Sequence, residues 1–110
     1  MKPVTFIGDA RPALRRFPTA ARREAGFLIE LLQHGEQPPD WKPMGTIGPG
    51  VAELRIRDAA GAFRVIYVAK FEEAIYVLHA FQKKSQRTAK ADLALATARY
   101  RELVSARRQR

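Results

Sequence analysis

Hydrophobic and polar positions along the chain fall into two periods. Residues 51–57 alternate strictly, with Ala52, Leu54 and Ile56 on one side and Glu53, Arg55 and Arg57 on the other. That is the pattern of a half-buried strand. Residues 63–69 are apolar on both faces except at Arg64, which predicts a central strand, and residues 75–81 repeat the pattern with His79 near the end. Asp58-Ala59-Ala60-Gly61 and Glu72-Glu73 supply the turns between these runs. Residues 3–7 read as a short first strand. Asp9 is placed to cap a short helix over 11–16, and Pro18 restarts the helix, since proline fits a first turn. From there to His34, Ala21, Ala25, Leu28 and Leu32 recur at helical spacing, with Phe27 and Leu31 widening the apolar face. Gly35 is a C-terminal stop. Residues 36–50 hold four prolines and three glycines and read as loop. After a loop at 82–87, Thr88 is placed to cap a final helix whose apolar side carries Leu93, Thr97, Tyr100 and Val104.

The order is β-α-α-β-β-β-α, an α+β fold. Three consecutive strands with short turns make an antiparallel meander, two N-terminal helices cover one face, and a C-terminal helix follows. The side bearing Glu53, Arg55 and Arg57 is expected to look away from the N-terminal helices. At 110 residues the whole chain, 1–110, is read as a single domain.

Charge changes this picture. Lys and Arg number 20 against 11 Asp and Glu, a formal net charge of +9. The last 28 residues carry nine cations (Lys83, Lys84, Arg87, Lys90, Arg99, Arg101, Arg107, Arg108, Arg110) against Asp92 and Glu102, which leaves seven of the nine net charges there. A one-sided charge of this kind attracts a polyanion, nucleic acid first. Arg107, Arg108 and Arg110 read as a frayed, solvated tail. Lys83, Lys84 and Arg87 lie between a strand and a helix and read as functional. The absence of cysteine excludes a disulfide framework, a thiol nucleophile and a thiolate zinc site. Two histidines are too few for an all-histidine catalytic metal site, so neither metal nor cofactor is expected. No apolar run approaches the ~18 residues of a membrane span, and the N-terminus lacks a signal-peptide pattern, so a cytoplasmic protein without membrane partners is expected.

Arg55 and Arg57 share a strand face, Arg64 begins the next strand, and Lys83 and Lys84 end the third. In a meander these positions converge near one edge of the sheet, and fixed cations in a concavity bind phosphate. The alternative is that Glu53 pairs with an arginine and the rest face water. By residue type His79 is a candidate general acid or base, but its apolar neighbours, with Val77 and Phe81 counted on its own face, favour a buried, hydrogen-bonded side chain. His34, at a helix C-terminus, is structural. Trp41 has a face on which a base could stack, but the favoured reading is that it anchors its long loop to the core or helps bury a partner. Gly45-Thr46-Ile47-Gly48-Pro49-Gly50 lacks the Gly-Lys-Ser/Thr ending of a phosphate loop, and Pro49 removes a donor, so no nucleotide site is assigned there.

The segments Val51-Ala52-Glu53-Leu54-Arg55, Phe63-Arg64-Val65-Ile66-Tyr67 and Tyr76-Val77-Leu78-His79-Ala80-Phe81-Gln82-Lys83-Lys84-Ser85-Gln86 resemble the RelE/ParE toxin superfamily, in particular its phage-derived, HigB-like branch. The resemblance extends through Trp41-Lys42-Pro43-Met44-Gly45 and over nearly the whole chain. It implies a RelE-like fold and the toxin of a type II toxin–antitoxin pair. Such toxins cut messenger RNA in the ribosomal A site without metal, the 2′-hydroxyl attacking the adjacent phosphate to leave a 2′,3′-cyclic phosphate and a 5′-hydroxyl. Mapped by motif, Arg55 and Arg64 would hold the scissile phosphate, and Lys83 or Lys84 would stabilise charge or donate a proton. Arg57, Arg87, Lys90 and His79 would contact the nucleic acid. Some relatives carry a tyrosine near the chain end that engages the RNA. The only candidate here, Tyr100, falls in an apolar stripe and is expected in the core, which leaves His79 as an alternative proton carrier and the general base open. The implied partners are a helix-turn-helix antitoxin, messenger RNA and the ribosome. A gyrase-inhibiting, ParE-like protein and a non-catalytic nucleic-acid-binding module are the competing readings. Arg64→Ala is expected to abolish toxicity with the fold intact. An acidic segment of a partner is expected to dock on the N-terminal helix face or the basic C-terminal segment.

Overall fold

The computed structural model describes residues 1–109; Arg110, counted above in the basic tail, lies outside the described residues. The chain forms β1 (Val4–Phe6), α1 (Ala10–Arg15), α2 (Thr19–Gln33), β2 (Trp41–Pro43), β3 (Val51–Asp58), β4 (Gly61–Val68), β5 (Ile75–Lys83) and α3 (Lys90–Arg108). The architecture is α+β, with three helices and a five-stranded sheet in the order β1-β5-β4-β3-β2. β3, β4 and β5 form the expected antiparallel meander, with β4 at its centre, and β1 pairs parallel with β5.

β2 lies within the stretch read as loop. It is an edge strand of three residues, all exposed, pairing Trp41 with Leu54 and Pro43 with Ala52. So short a segment carries no alternation, and its proline is tolerated only because the strand is an edge. With β2 on one flank and α3 over its polar side, β3 is buried on both faces from Val51 to Leu54 rather than half-buried.

Two cores sandwich the sheet. Ala21, Ala25, Leu28 and Leu32 of α2 pack with Leu14 and Phe17 onto Leu54, Ile56, Phe63, Val65, Tyr67, Ile75 and Val77. Ala96, Tyr100 and Leu103 of α3 pack onto Val51, Ile66, Val68, Tyr76, Leu78 and Phe81. Phe27 does not widen the α2 stripe; it is 55% exposed. Gly35, at φ 78°, ends α2: its N–H donates to Leu32 and the Glu36 N–H to Leu31, which satisfies the last carbonyls of the helix.

Two expected caps are absent. α3 starts at Lys90 with Ala89 in the capping position, so Thr88 does not cap it. Asp9 precedes α1 but makes no capping bond; its carboxylate accepts a hydrogen bond from Arg99 instead, and a full guanidinium charge outcompetes a backbone N–H for it. Nor is the described C-terminus frayed. Helix α3 continues to Arg108, and Arg107 is clamped by Glu73 at 2.7 and 3.2 Å with its guanidinium 3.7 Å over the Phe71 ring.

Candidate functional site

The register of the meander assembles the site on the α3 side of the sheet. Glu53 opposes Ile66, Arg55 opposes Arg64, and Arg57 opposes Ala62. Across the next pair Arg64 opposes Phe81 and Ala62 opposes Lys83. On the edge, Lys42 of β2 opposes Glu53. Alternation therefore projects Arg55, Arg64, Lys83 and Glu53 to one side over three strands. Lys83, the last residue of β5, and Arg87, in the loop before α3, close the far wall. Lys42, Arg55, Lys83 and Arg87, with Glu53 and with Met44 on the loop after β2, line a hollow of about 430 Å³, and Glu53 is its one carboxylate among the described residues.

The members differ in depth. Glu53 is 2% exposed and Arg64 6%, and Arg64 Nε stands 3.3 Å from Glu53 Oε1. Arg64 Nη1 donates to the Phe63 carbonyl at 3.0 Å. Arg55 Nε lies 3.7 Å from the same Glu53 oxygen but its side chain is a third exposed, within reach of a ligand. Glu53 Oε2 is buried with no hydrogen-bond partner among the described residues. Burial pulls the Arg64 pKa below the usual arginine value, opposed by Glu53. Burial, followed by the positive field of Arg64, pulls Lys83 below the ordinary lysine value. A lysine so placed gives up its proton more readily than one in water.

The remaining candidates sit apart from this hollow. Arg57 shares a row with Lys83 and faces solvent. Lys84 points into a smaller neighbouring hollow of about 130 Å³ beside Ser85 and Asp92. Lys90 opens α3 and is exposed, lining neither hollow. His79 is 7% exposed, bonds Asp92 Oδ1 through Nε2 at 2.7 Å and stacks on Phe81. Its apolar neighbours thus indicated the right environment, although Val77 is not on its side: an irregularity opposite Ile66 and Tyr67 pairs them with His79 and Val77, skipping Leu78, and Val77 packs in the α2 core. Tyr100 is buried, its hydroxyl donating to the Pro49 carbonyl at 3.1 Å.

Two members escaped sequence reasoning. Lys42 lay in an apparent loop, so no register connected it to Glu53. Glu53 was weighed only as a partner for surface arginines, yet it is the buried centre around which the cations gather. Because Glu53 is buried with it, Arg64→Ala removes a counter-charge as well as a cation. Arg64→Ala therefore tests stability together with the site, and Arg55 and Lys83 are the cleaner probes.

The family model for phage-derived Gp49-like proteins (DUF891) matches residues 12–101. The chain belongs to the Gp49-like family. This is a RelE/toxin-like family of toxin–antitoxin systems. Among curated proteins no match was found. In this Gp49-like protein the matched span takes in β3, β4, β5 and every residue of the cationic hollow. The Gp49-like protein thus brings exposed and half-exposed cations to the rim of one hollow, with a buried Arg–Glu pair beneath.

Proposed function

We propose that this protein is the toxin of a type II toxin–antitoxin pair and acts as a RelE/HigB-like, ribosome-dependent messenger RNA endonuclease. The observation that carries the reading is the convergence of Lys42, Arg55, Lys83 and Arg87 on one hollow above the Glu53–Arg64 pair. A phosphodiester seated there has Arg55 and Lys42 on its non-bridging oxygens, which offsets charge as the 2′-hydroxyl attacks. Lys83, with its lowered pKa, donates a proton to the leaving 5′-oxygen. Phosphorus exchanges one ester oxygen for another, so the products are a 2′,3′-cyclic phosphate and a 5′-hydroxyl, with no water consumed. Arg64, closed off from solvent, is a positioning residue that holds Glu53 and through it Arg55. In this reading Glu53, whose Oε2 has no hydrogen-bond partner among the described residues, takes the proton of the attacking hydroxyl. In the same reading the natural partner is a helix-turn-helix antitoxin, and the protein works in the cytoplasm.

Primer extension on cellular messenger RNA after induction tests this reading. The wild type is expected to give cuts inside translated frames that vanish when translation is blocked. Arg55→Ala and Lys83→Ala are expected to stay folded and lose about a hundredfold in cleavage. Intact messenger RNA with a DNA-damage response would instead place the protein with the gyrase inhibitors.

A further inference from the structure

A second hollow lies on the same side of the sheet, at the other end of α3. It measures about 530 Å³ and is walled by the Pro49 loop, the Lys70-Phe71 turn after β4, and the last two turns of α3. Leu93 borders the first hollow and Val104 the second, and α3 rises about 16 Å from one residue to the other. The floor is apolar, made by Phe71, Tyr100 and Val104. The rim carries Lys70, Arg101, Arg107 and Arg108, and no carboxylate of the described residues lines it. Arg107 is held by Glu73, whereas Lys70, Arg101 and Arg108 are exposed and make no ion pair among the described residues.

The glycines that sequence reading could not assign to a phosphate loop build this wall. A Cβ on Gly48 would stand 2.3 Å from the Tyr100 ring, and one on Gly50 2.6 Å from the stem of Lys70. Bare backbone at both positions lets the tyrosine lie against the loop and the lysine stem cross it.

We propose that this cleft is the docking site for an acidic peptide segment of a partner protein, one that sets an aliphatic side chain on the Phe71–Val104 floor and carboxylates against Lys70, Arg101 and Arg108. Charge complementarity asks for an anionic occupant, and the floor decides its class. Single-stranded nucleic acid binds such grooves by stacking bases on open aromatic faces. Here Arg107 and Lys70 already stand over the Phe71 ring, at 3.7 and 5.2 Å, and Tyr100 lies against Gly48. An aliphatic side chain needs no such face. The occupant does not depend on RNA being cut in the first hollow.

Fluorescence anisotropy on the full chain tests this at about 0.1 M salt. The probes are labelled peptides of about twelve residues, rich in Asp and Glu, carrying either two leucines four apart or two serines in their place. The leucine peptide is expected to bind about tenfold tighter than the serine peptide, to lose about tenfold on Arg101→Glu/Arg108→Glu, and to be indifferent to Arg55→Ala. Val104→Ser, which keeps the rim charge, is expected to weaken the leucine peptide alone. No binding, or equal binding of the two peptides, overturns the proposal. So does a loss on Arg55→Ala as large as on the rim reversals. A dodecauridylate that competes for the cleft and is itself lost on Arg101→Glu/Arg108→Glu would make this a nucleic-acid surface. None of these outcomes bears on the primer-extension result, so the two readings fail separately.

Discussion

Glu53 Oε1 stands 3.3 Å from Arg64 Nε in a part of the molecule where neither side chain reaches solvent, at 3% and 8% exposure. The pair lies on the α3 side of the meander beneath the cationic hollow, and a further charge, Arg55, is 3.7 Å from the same oxygen. Two opposite charges so enclosed stabilise each other but have each lost their hydration, so the pair contributes little net stability while either member alone is costly. Glu53→Leu is therefore expected to destabilise the protein by about 3–5 kcal/mol, and the double variant Glu53→Leu/Arg64→Met to recover most of that loss without recovering activity. Urea denaturation of the two singles and the double measures the coupling. A Glu53→Leu cost below about 1 kcal/mol would mean that Arg64 escapes to water and that the pair does not hold the site.

The meander, the α2 stripe and the convergence of Arg55, Arg64 and Lys83 were legible because each rests on local periodicity plus short turns. Once three strands are joined by tight turns, register follows and neighbouring positions are brought opposite one another. What was not legible depends on partners distant in sequence. Glu53 looked like a surface residue because alternation reports one buried face, and the other is enclosed by groups from later in the chain, among them Arg64, Lys83, Arg87 and Leu93. Lys42 entered the site through an edge strand of three residues that has no pattern of its own. Asp9 has the sequence signature of a cap, but Arg99, 90 residues away, takes its carboxylate. Phe27 shows the opposite failure: it fits the helical stripe by spacing, yet it remains 55% exposed.

Lys83 offers a direct electrostatic check. Burial and the Arg64 charge lower its pKa, while Glu53 opposes them. Replacing Arg64 by Met removes a repulsion, so the Lys83 pKa is expected to rise in that variant, read by NMR titration of its side chain in the folded protein. The sign for stability follows from proton binding. Between the folded and unfolded pKa values the unfolded chain holds a proton that the folded protein has lost, so stability rises with pH across that window. An unchanged Lys83 titration in Arg64→Met would show that the two cations do not share one field.

The Glu73–Arg107 clamp governs the acid limb. Hydrogen bonds from Arg107, and from the Tyr76 hydroxyl at 2.9 Å, hold the Glu73 carboxyl down at about 2, against an ordinary 4.5. A carboxylate depressed on folding stabilises the protein fully above its unfolded pKa, and that contribution drains away as pH falls from 4.5 towards 2. Urea midpoints taken through this range are expected to fall more steeply in the wild type than in Glu73→Gln. Because the pair is partly exposed, added salt should shrink the difference. Parallel curves would mean that the clamp does not persist in solution.

Gly48 and Tyr100 test the packing of α3 on the loop that precedes β3. Gly48 is buried, and a Cβ there would come within 2.3 Å of Tyr100 Cε2 and 2.6 Å of Cδ2, which no rotamer adjustment of the alanine can relieve. The ring has little room to retreat: it is buried in the α3 core, and its hydroxyl donates to the Pro49 carbonyl next to the glycine. Gly48→Ala must therefore push the loop off the helix, at a cost of about 1–3 kcal/mol, in the range of overpacked cores. Tyr100→Leu removes the clash along with the hydroxyl, so Gly48→Ala is expected to cost much less in a Tyr100→Leu background than in the wild type. Thermal and urea denaturation of the four proteins gives the coupling directly. Additive losses would show that the ring does not rest on the glycine.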